Sequence, residues 1–299
     1  MQYACNNNTT NALRVGDIVE FVGLTASGKT ALLIHIILTT ILPQHVPELD
    51  LHVGGRYLPV LLFDCDGRFP IDRLRQLLVS HVQQQQEHPS LRMTEHDAVK
   101  SIVDAALDRL RVYQPTSSGH FIACLQHALH ILPAYDVMPF ILVDGISAFH
   151  YIDALKNFVA EKSLNPVSGP ILKHLKELAV RHCSCIIATR ANYRPNLSAT
   201  YRSSSESEMR MEPSLPLEIV RPPGEFLGRP WHEAVRYVFQ LCRIDASADG
   251  RTCTTLLSRM VKPALTFEQR RQGVEFGDLF QKYGIIPWEI QDEGIASYE

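Results

Sequence analysis

The sequence has little to offer a membrane, a secretory route or a polyanion. Its longest apolar run, Ala31 to Leu42, is interrupted by His35, Thr39 and Thr40 and falls well short of the roughly 20 residues that a bilayer-spanning helix needs. No membrane contact is expected. The N-terminal stretch, from Met1 through the Asn-rich Asn6 to Asn8, has no basic segment followed by an apolar one, so no secretory leader is expected. Cysteine is sparse and scattered: Cys5, Cys65, Cys124, Cys183, Cys185, Cys242 and Cys253 are seven in 299 residues. An odd, dispersed set is not the framework of a small disulfide-stapled domain and reads as reduced thiols inside a cell. Nor is there an excess of positive charge. With 29 Lys and Arg against 32 Asp and Glu, the formal charge is -3, so any contact with nucleic acid has to be local or shared with partners.

What is present is a core: 45% of the residues are hydrophobic, which excludes a mostly disordered chain. Short β-rich runs alternate with helical ones. Ile18 to Val22, Val60 to Asp64, Leu110 to Tyr113, Phe140 to Val143 and Cys183 to Thr189 have the profile of strands. Thr30 to Leu42, Pro70 to Val82, Thr94 to Leu107, His120 to Leu132 and Pro170 to His182 carry helical periodicity. That rhythm predicts an α/β fold with a mostly parallel central sheet flanked by helices. Ala234 to Leu241 and Thr252 to Met260 predict a C-terminal antiparallel extension, a hairpin closing the sheet edge. Residues 1-13 are expected to be a flexible tail, 14-290 one core, and 291-299 a C-terminal tail. Within the core, 190-229 holds five Pro and six Ser and reads as a mobile loop.

Gly23-Leu24-Thr25-Ala26-Ser27-Gly28-Lys29-Thr30 fits the P-loop pattern G-x-x-x-x-G-K-S/T, with a strand before it and a helix after it. Such a loop wraps nucleotide phosphates with backbone N–H groups at a helix N-terminus, where unpaired donors and the helix dipole both favour negative charge. The expected ligand is ATP with Mg²⁺. Lys29 would reach the β- and γ-phosphates, and the Thr30 hydroxyl would ligate the metal. Asp144, at the end of the strand Ile141-Leu142-Val143, suits the acid that holds the Mg²⁺ hydration shell, or else caps a following helix. Asp66, in Phe63-Asp64-Cys65-Asp66-Gly67, is a candidate for the acid that orients the attacking water, or else fills a strand-to-helix turn.

Taken together, these motifs resemble the RecA-type recombinases and their eukaryotic paralogues. The order of P-loop, Leu61 to Asp66 strand and Ile141 to Asp144 strand carries the likeness. It is joined by Ile41-Leu42-Pro43, Val112-Tyr113 with Ser117-Ser118 and His120, Asp144-Gly145-Ile146-Ser147-Ala148-Phe149 with Ile152-Asp153, and Gly273-Val274-Glu275-Phe276. The likeness covers most of residues 14 to 276. It implies a RecA-like P-loop NTPase core, residence in the nucleus, and action in homologous recombination and double-strand-break repair. It also implies a complex with other recombinase paralogues, the D-type paralogue above all, with single-stranded or branched DNA reached through that complex. A P-loop so close to the N-terminus leaves no room for the small helical domain that precedes the core in most eukaryotic members.

Three departures from the family pattern bear on activity. The catalytic acid of active members is Glu, and here the matching position is Asp66. A carboxylate withdrawn by about 1 Å from its water can cost on the order of a hundredfold in rate. The strand after the Asp144 strand ends in Ala188-Thr189-Arg190-Ala191, without the Gln that senses the γ-phosphate in active members. The second DNA-binding loop of the family maps to 190-229, where six Arg meet five Glu, which provides few phosphate contacts. The first maps near Lys156 to Gly169. Weak or absent intrinsic hydrolysis is therefore expected. A P-loop kinase of a small molecule, or a scaffold with a relic P-loop, is the rival reading. Cys183 and Cys185 beside His182 read as core thiols rather than zinc ligands. His127 and His130 suggest no role, and Trp231 and Tyr237 read as packing rather than base-stacking residues.

Overall fold

The computed structural model describes residues 15–85, 95–131, 138–159, 168–191, 227–246, 253–262, 286–291 and 294–297. The tail expected over 1-13 and most of the loop expected over 190-229 lie outside the described residues. The P-loop strand β1 is Ile18–Gly23 and its helix α1 is Lys29–Ile41. A two-stranded excursion, β2 (His45–Val46) and β3 (Leu51–His52), leads to β4 (Val60–Asp64). Then come α2 (Ile71–Gln84), α3 (Glu95–Leu107), β5 (Leu110–Tyr113), α4 (Ser118–Ile131), β6 (Phe140–Asp144), α5 (His150–Val159), α6 (Ser168–Arg181) and β7 (Ile186–Ala191). The C-terminal part is α7 (Gly228–Ala234), β8 (Val235–Ala246), β9 (Cys253–Lys262), β10 (Ile286–Gln291) and β11 (Gly294–Ser297).

Nine strands form one sheet in the order β11-β10-β9-β8-β1-β7-β6-β4-β5. The six from β8 to β5 run parallel, and β9, β10 and β11 continue antiparallel. The expected architecture is present. Period-two alternation explains why it is buried on both faces. Ile18, Leu61, Phe63, Ile141, Val143, Ile186 and Ala188 pack with Phe121, Leu125, Leu175, Leu178 and Trp231 of α4, α6 and α7. Their neighbours Val19, Val60, Leu62, Leu142 and Ile187 pack with Leu33, Ile37, Leu74, Leu78, Val99 and Val103 of α1, α2 and α3. Truncating any one of the fully buried leucines here would cost about 2–5 kcal/mol.

Four expectations are corrected. The β8–β9 hairpin does not close the sheet: β8 lies parallel beside β1, and β10 and β11 extend the sheet beyond β9. Residues 294–297 of the expected C-terminal tail are strand β11, because the short run Gly294-Ile295-Ala296-Ser297 pairs back on Trp288 to Gln291. The ends of the expected 190-229 loop are structured: Arg190 and Ala191 pair with Val22 and Gly23 of β1, and Gly228 opens α7. Cys183 and Cys185 precede their strand rather than lying on it. Cys183 is exposed, with φ 51. Ser184 N–H donates to Ala179 O and Cys183 N–H to Val180 O, the left-handed turn that ends a helix at a position glycine usually takes.

Candidate nucleotide site

The parallel strands place the ends of β1, β4, β6 and β7 at one edge of the sheet. The P-loop strand does not neighbour β4, since β7 and β6 stand between them. In open α/β sheets, the crevice at the carboxyl ends of the strands, where the winding changes direction, is where ligands bind. All the candidate residues fall there. The loop from Gly23 to Gly28 turns through left-handed positions at Ala26 (φ 62) and Gly28 (φ 86) before α1 starts at Lys29. Gly23 is pressed from two sides: a Cβ built on it would lie 2.2 Å from Ser27 Oγ and 2.8 Å from the Leu241 carbonyl oxygen of β8. Leu24, Thr25 and Ala26 are exposed at the tip, and Ser27 is buried beneath them. No side chain caps α1, and its first turn carries no acid, so its N-terminal N–H groups and dipole present their positive pole to the loop.

The Lys29 ammonium bends back over the loop. It donates to the carbonyl oxygens of Gly23 at 2.9 Å and Leu24 at 2.7 Å, and to Ser27 Oγ at 3.4 Å. Partial burial lowers its pKa, an effect opposed by the nearby charges of Asp144 and then Asp66. The Thr30 hydroxyl donates to Asp144 Oδ2 at 2.9 Å. The two residues expected to hold Mg²⁺, 114 positions apart, are thus in direct contact. Asp144 itself is buried at the end of β6, level with Asp64 of β4.

Asp66 sits on the exposed turn after β4, yet reaches the same centre. A Cβ on Gly145 would come within 2.8 Å of its carboxyl carbon and of Oδ1, so the carboxylate lies against the backbone that follows Asp144. Partial withdrawal from water, then Asp144 and Asp64, push its pKa up, while Arg68 and Lys29 pull the other way. The turn is built by Asp64, which is fully buried and accepts from Arg68 N–H at 3.3 Å, Phe69 N–H at 2.9 Å and the Gln114 side-chain amide at 3.2 Å. Asp64 therefore does the turn-forming work that the sequence left open for Asp66. Between the two acids, burial and the surrounding carboxylates push the Cys65 thiol up, so it has no thiolate character to offer.

Three side chains that shape this edge were not singled out in the sequence: Gln114, Thr189 and Glu20. Thr189 donates to Asp144 Oδ1 at 2.6 Å and accepts from Gly145 N–H at 2.8 Å. Glu20, fully buried on β1, accepts from Arg190 Nε at 2.8 Å and Nη2 at 3.2 Å and from Trp231 Nε1 at 2.8 Å. The one visible signal was a Glu inside the apolar run Ile18 to Val22, a charge that a buried strand holds only when paired. Trp231 and Tyr237 are both buried, in keeping with packing rather than base stacking. His127 meets Tyr113 through its Nδ1 at 3.1 Å. Lys156 belongs to α5 rather than a loop, and Gly169 to α6.

The fold is an α/β core of six parallel strands with an antiparallel extension, consistent with a RecA-like core, and the loop before α1 carries the P-loop sequence pattern. No family model matches the chain. It is 27% identical to the DNA repair protein XRCC2 of Mus musculus over 271 residues, which is 87% of this chain and 85% of that protein. It is also 27% identical to the DNA repair protein XRCC2 homolog of Arabidopsis thaliana over 210 residues, 60% of this chain and 55% of that protein. The chain therefore spans about half the length of the plant relative and most of the mouse one. The resemblance to recombinase paralogues drawn from the sequence is borne out by these two relatives.

Proposed function

We propose that this chain is a nucleotide-binding paralogue of the RecA-type recombinases that acts in homologous recombination and DNA double-strand-break repair. It works in the nucleus as a subunit of a complex with other recombinase paralogues, the D-type paralogue being its direct partner, and reaches single-stranded or branched DNA through that complex. Two relatives with DNA-repair names support the process. A formal charge of -3 supports the indirect route to DNA. Among the described residues, no helix is long and apolar enough to cross a membrane.

The observation that carries the nucleotide reading is the Thr30–Asp144 hydrogen bond of 2.9 Å beside Lys29 at the start of α1. The residues present fit ATP and Mg²⁺. The loop N–H groups and the α1 dipole would take the phosphates, Lys29 would exchange its two carbonyl partners for phosphate oxygens, and Thr30 with Asp144 would hold the metal. Mg²⁺ there would neutralise phosphate charge. Hydrolysis is weak or absent, because the shorter Asp66 stands where active members have Glu. The end of β7 also offers Arg190, tied to Glu20, and no Gln. Binding of Mg·ATP to the purified full chain and to Lys29→Ala tests the reading. A clear loss in the variant supports it, equal weak binding by both favours a relic P-loop, and phosphoryl transfer to a nucleoside favours a kinase. Recovery of other recombinase paralogues in stoichiometric amounts, on purifying the chain from its own cells, tests the complex.

A further inference from the structure

The hydroxyl of Thr189 is buried and has one proton to give. Its oxygen accepts the Gly145 N–H at 2.8 Å, so that proton is directed to Asp144 Oδ1 at 2.6 Å, its acceptor among the described residues. The backbone carbonyl of Thr189 also takes the N–H of Ile146 at 3.0 Å. A single residue of β7 thus grips the last residue of β6 and the two that follow it, and occupies one carboxylate oxygen of Asp144, leaving the other, Oδ2, facing the Thr30 hydroxyl. Without that grip the carboxylate can rotate and offer either oxygen, or neither, to a cation at Thr30.

We propose that Thr189 is a positioning residue for the metal-holding acid: it fixes the Asp144 carboxylate so that Oδ2 and the Thr30 hydroxyl converge on Mg²⁺. This rests on the nucleotide reading above. Thr189 touches neither metal nor phosphate. Its effect is on the metal-dependent part of nucleotide affinity, and the outer-shell partner of a metal ligand commonly carries about 10–100-fold of that affinity.

The test is calorimetric titration of the full chain with ATP in the presence of Mg²⁺ and in the presence of a chelator, for the wild type, Thr189→Val, Thr189→Ala and Thr189→Ser. Wild type is expected to bind more tightly with Mg²⁺. Thr189→Val and Thr189→Ala should lose about tenfold or more of Mg·ATP affinity, with metal-free ATP binding unchanged, and Thr189→Ser should restore the wild-type difference. A Val or Ala variant that keeps the full Mg²⁺ enhancement overturns the proposal, as does a Ser variant that fails to restore it. A second readout needs no nucleotide: the Gly145 amide, held by the Thr189 hydroxyl, should exchange hydrogen faster in Thr189→Val and Thr189→Ala and at the wild-type rate in Thr189→Ser, while the Ile146 amide, held by the Thr189 backbone carbonyl, serves as the unchanged reference. Unchanged exchange in the two apolar variants also overturns it. A wild type that shows no Mg²⁺ enhancement fails the nucleotide reading instead, and this appears before any variant is made.

Discussion

Two carboxylates buried at the same edge of the sheet are satisfied in opposite ways. Glu20 has a full counter-charge: the guanidinium of Arg190, whose side chain is 13% exposed, meets it with two nitrogens, and the Trp231 indole adds a third donor. Asp144 has two hydroxyls, from Thr30 and Thr189, and Lys29, close enough to feel its charge, has turned its protons to backbone carbonyls. Both are acids removed from water, Glu20 on the P-loop strand β1 and Asp144 at the end of β6, two strands away. The first arrangement is closed and ties β1, β7 and α7 together. The second has neutral donors where a cation would be stronger, and is therefore receptive to one. Charge at a P-loop edge is thus no sign of function by itself; what distinguishes the two acids is which one already has its cation.

The comparison breaks most visibly at Glu20. Glu20→Gln keeps the shape but leaves the Arg190 guanidinium buried without its charge partner. Breaking one side of a buried pair is expected to cost about 3–5 kcal/mol, to be read by urea unfolding, while nucleotide affinity of the folded protein should stay as it was. A loss under about 1 kcal/mol, the range of exposed pairs, would mean that water reaches the pair. Trp231→Phe removes a single donor from the same carboxylate and should cost about 1–2 kcal/mol in the same assay. Asp144→Asn is expected to cost about 1 kcal/mol, since its single amide oxygen can accept from only one of the two hydroxyls that now donate to Oδ1 and Oδ2. The Mg²⁺ enhancement of ATP binding should vanish in it. A variant that retains that enhancement would move the metal-holding role elsewhere.

The smallest effect concerns Asp66, where the folded protein raises the carboxyl pKa above its ordinary 3.8. A raised acid is charged at neutral pH at a cost to the fold, and that cost is relieved as pH falls through the raised value and is absent below 3.8. Asp66→Asn should therefore melt higher than the wild type at pH 7, with the difference shrinking on acidification and gone below the ordinary value. A constant difference in melting temperature at every pH would show that packing, not charge, sets the change.

Much of this edge was legible along the chain, because its signals are local. The P-loop is one contiguous stretch, Asp64 and Asp144 announce themselves by ending apolar strands, and Asp66 follows in the turn after the first of them. What was not legible depends on partners far apart in sequence. Glu20 reads as one polar residue in a strand until Arg190 and Trp231 are brought to it from 170 and 211 positions away. Thr189 looks like any threonine in a β-rich run until register sets the end of β7 beside β6. Gln114 follows β5 without any pattern to mark it. The division of labour between Asp64 and Asp66 was equally hidden, since both lie in one turn and only burial separates the acid that folds the turn from the acid it presents. The C-terminal hairpin was expected and is antiparallel, but its place was not legible for a related reason: β8 also pairs parallel with β1, and a sequence shows strands but not their neighbours.

Gly23 and the Leu241 carbonyl meet across more than two hundred residues of chain. The first residue of the P-loop is shaped by a strand synthesised more than two hundred residues later. On the ribosome the loop is complete in sequence long before its wall exists. The P-loop's packing is therefore a late product of folding, finished only when β8 has docked beside β1, and a chain interrupted before that strand carries the motif without the wall that presses on Gly23.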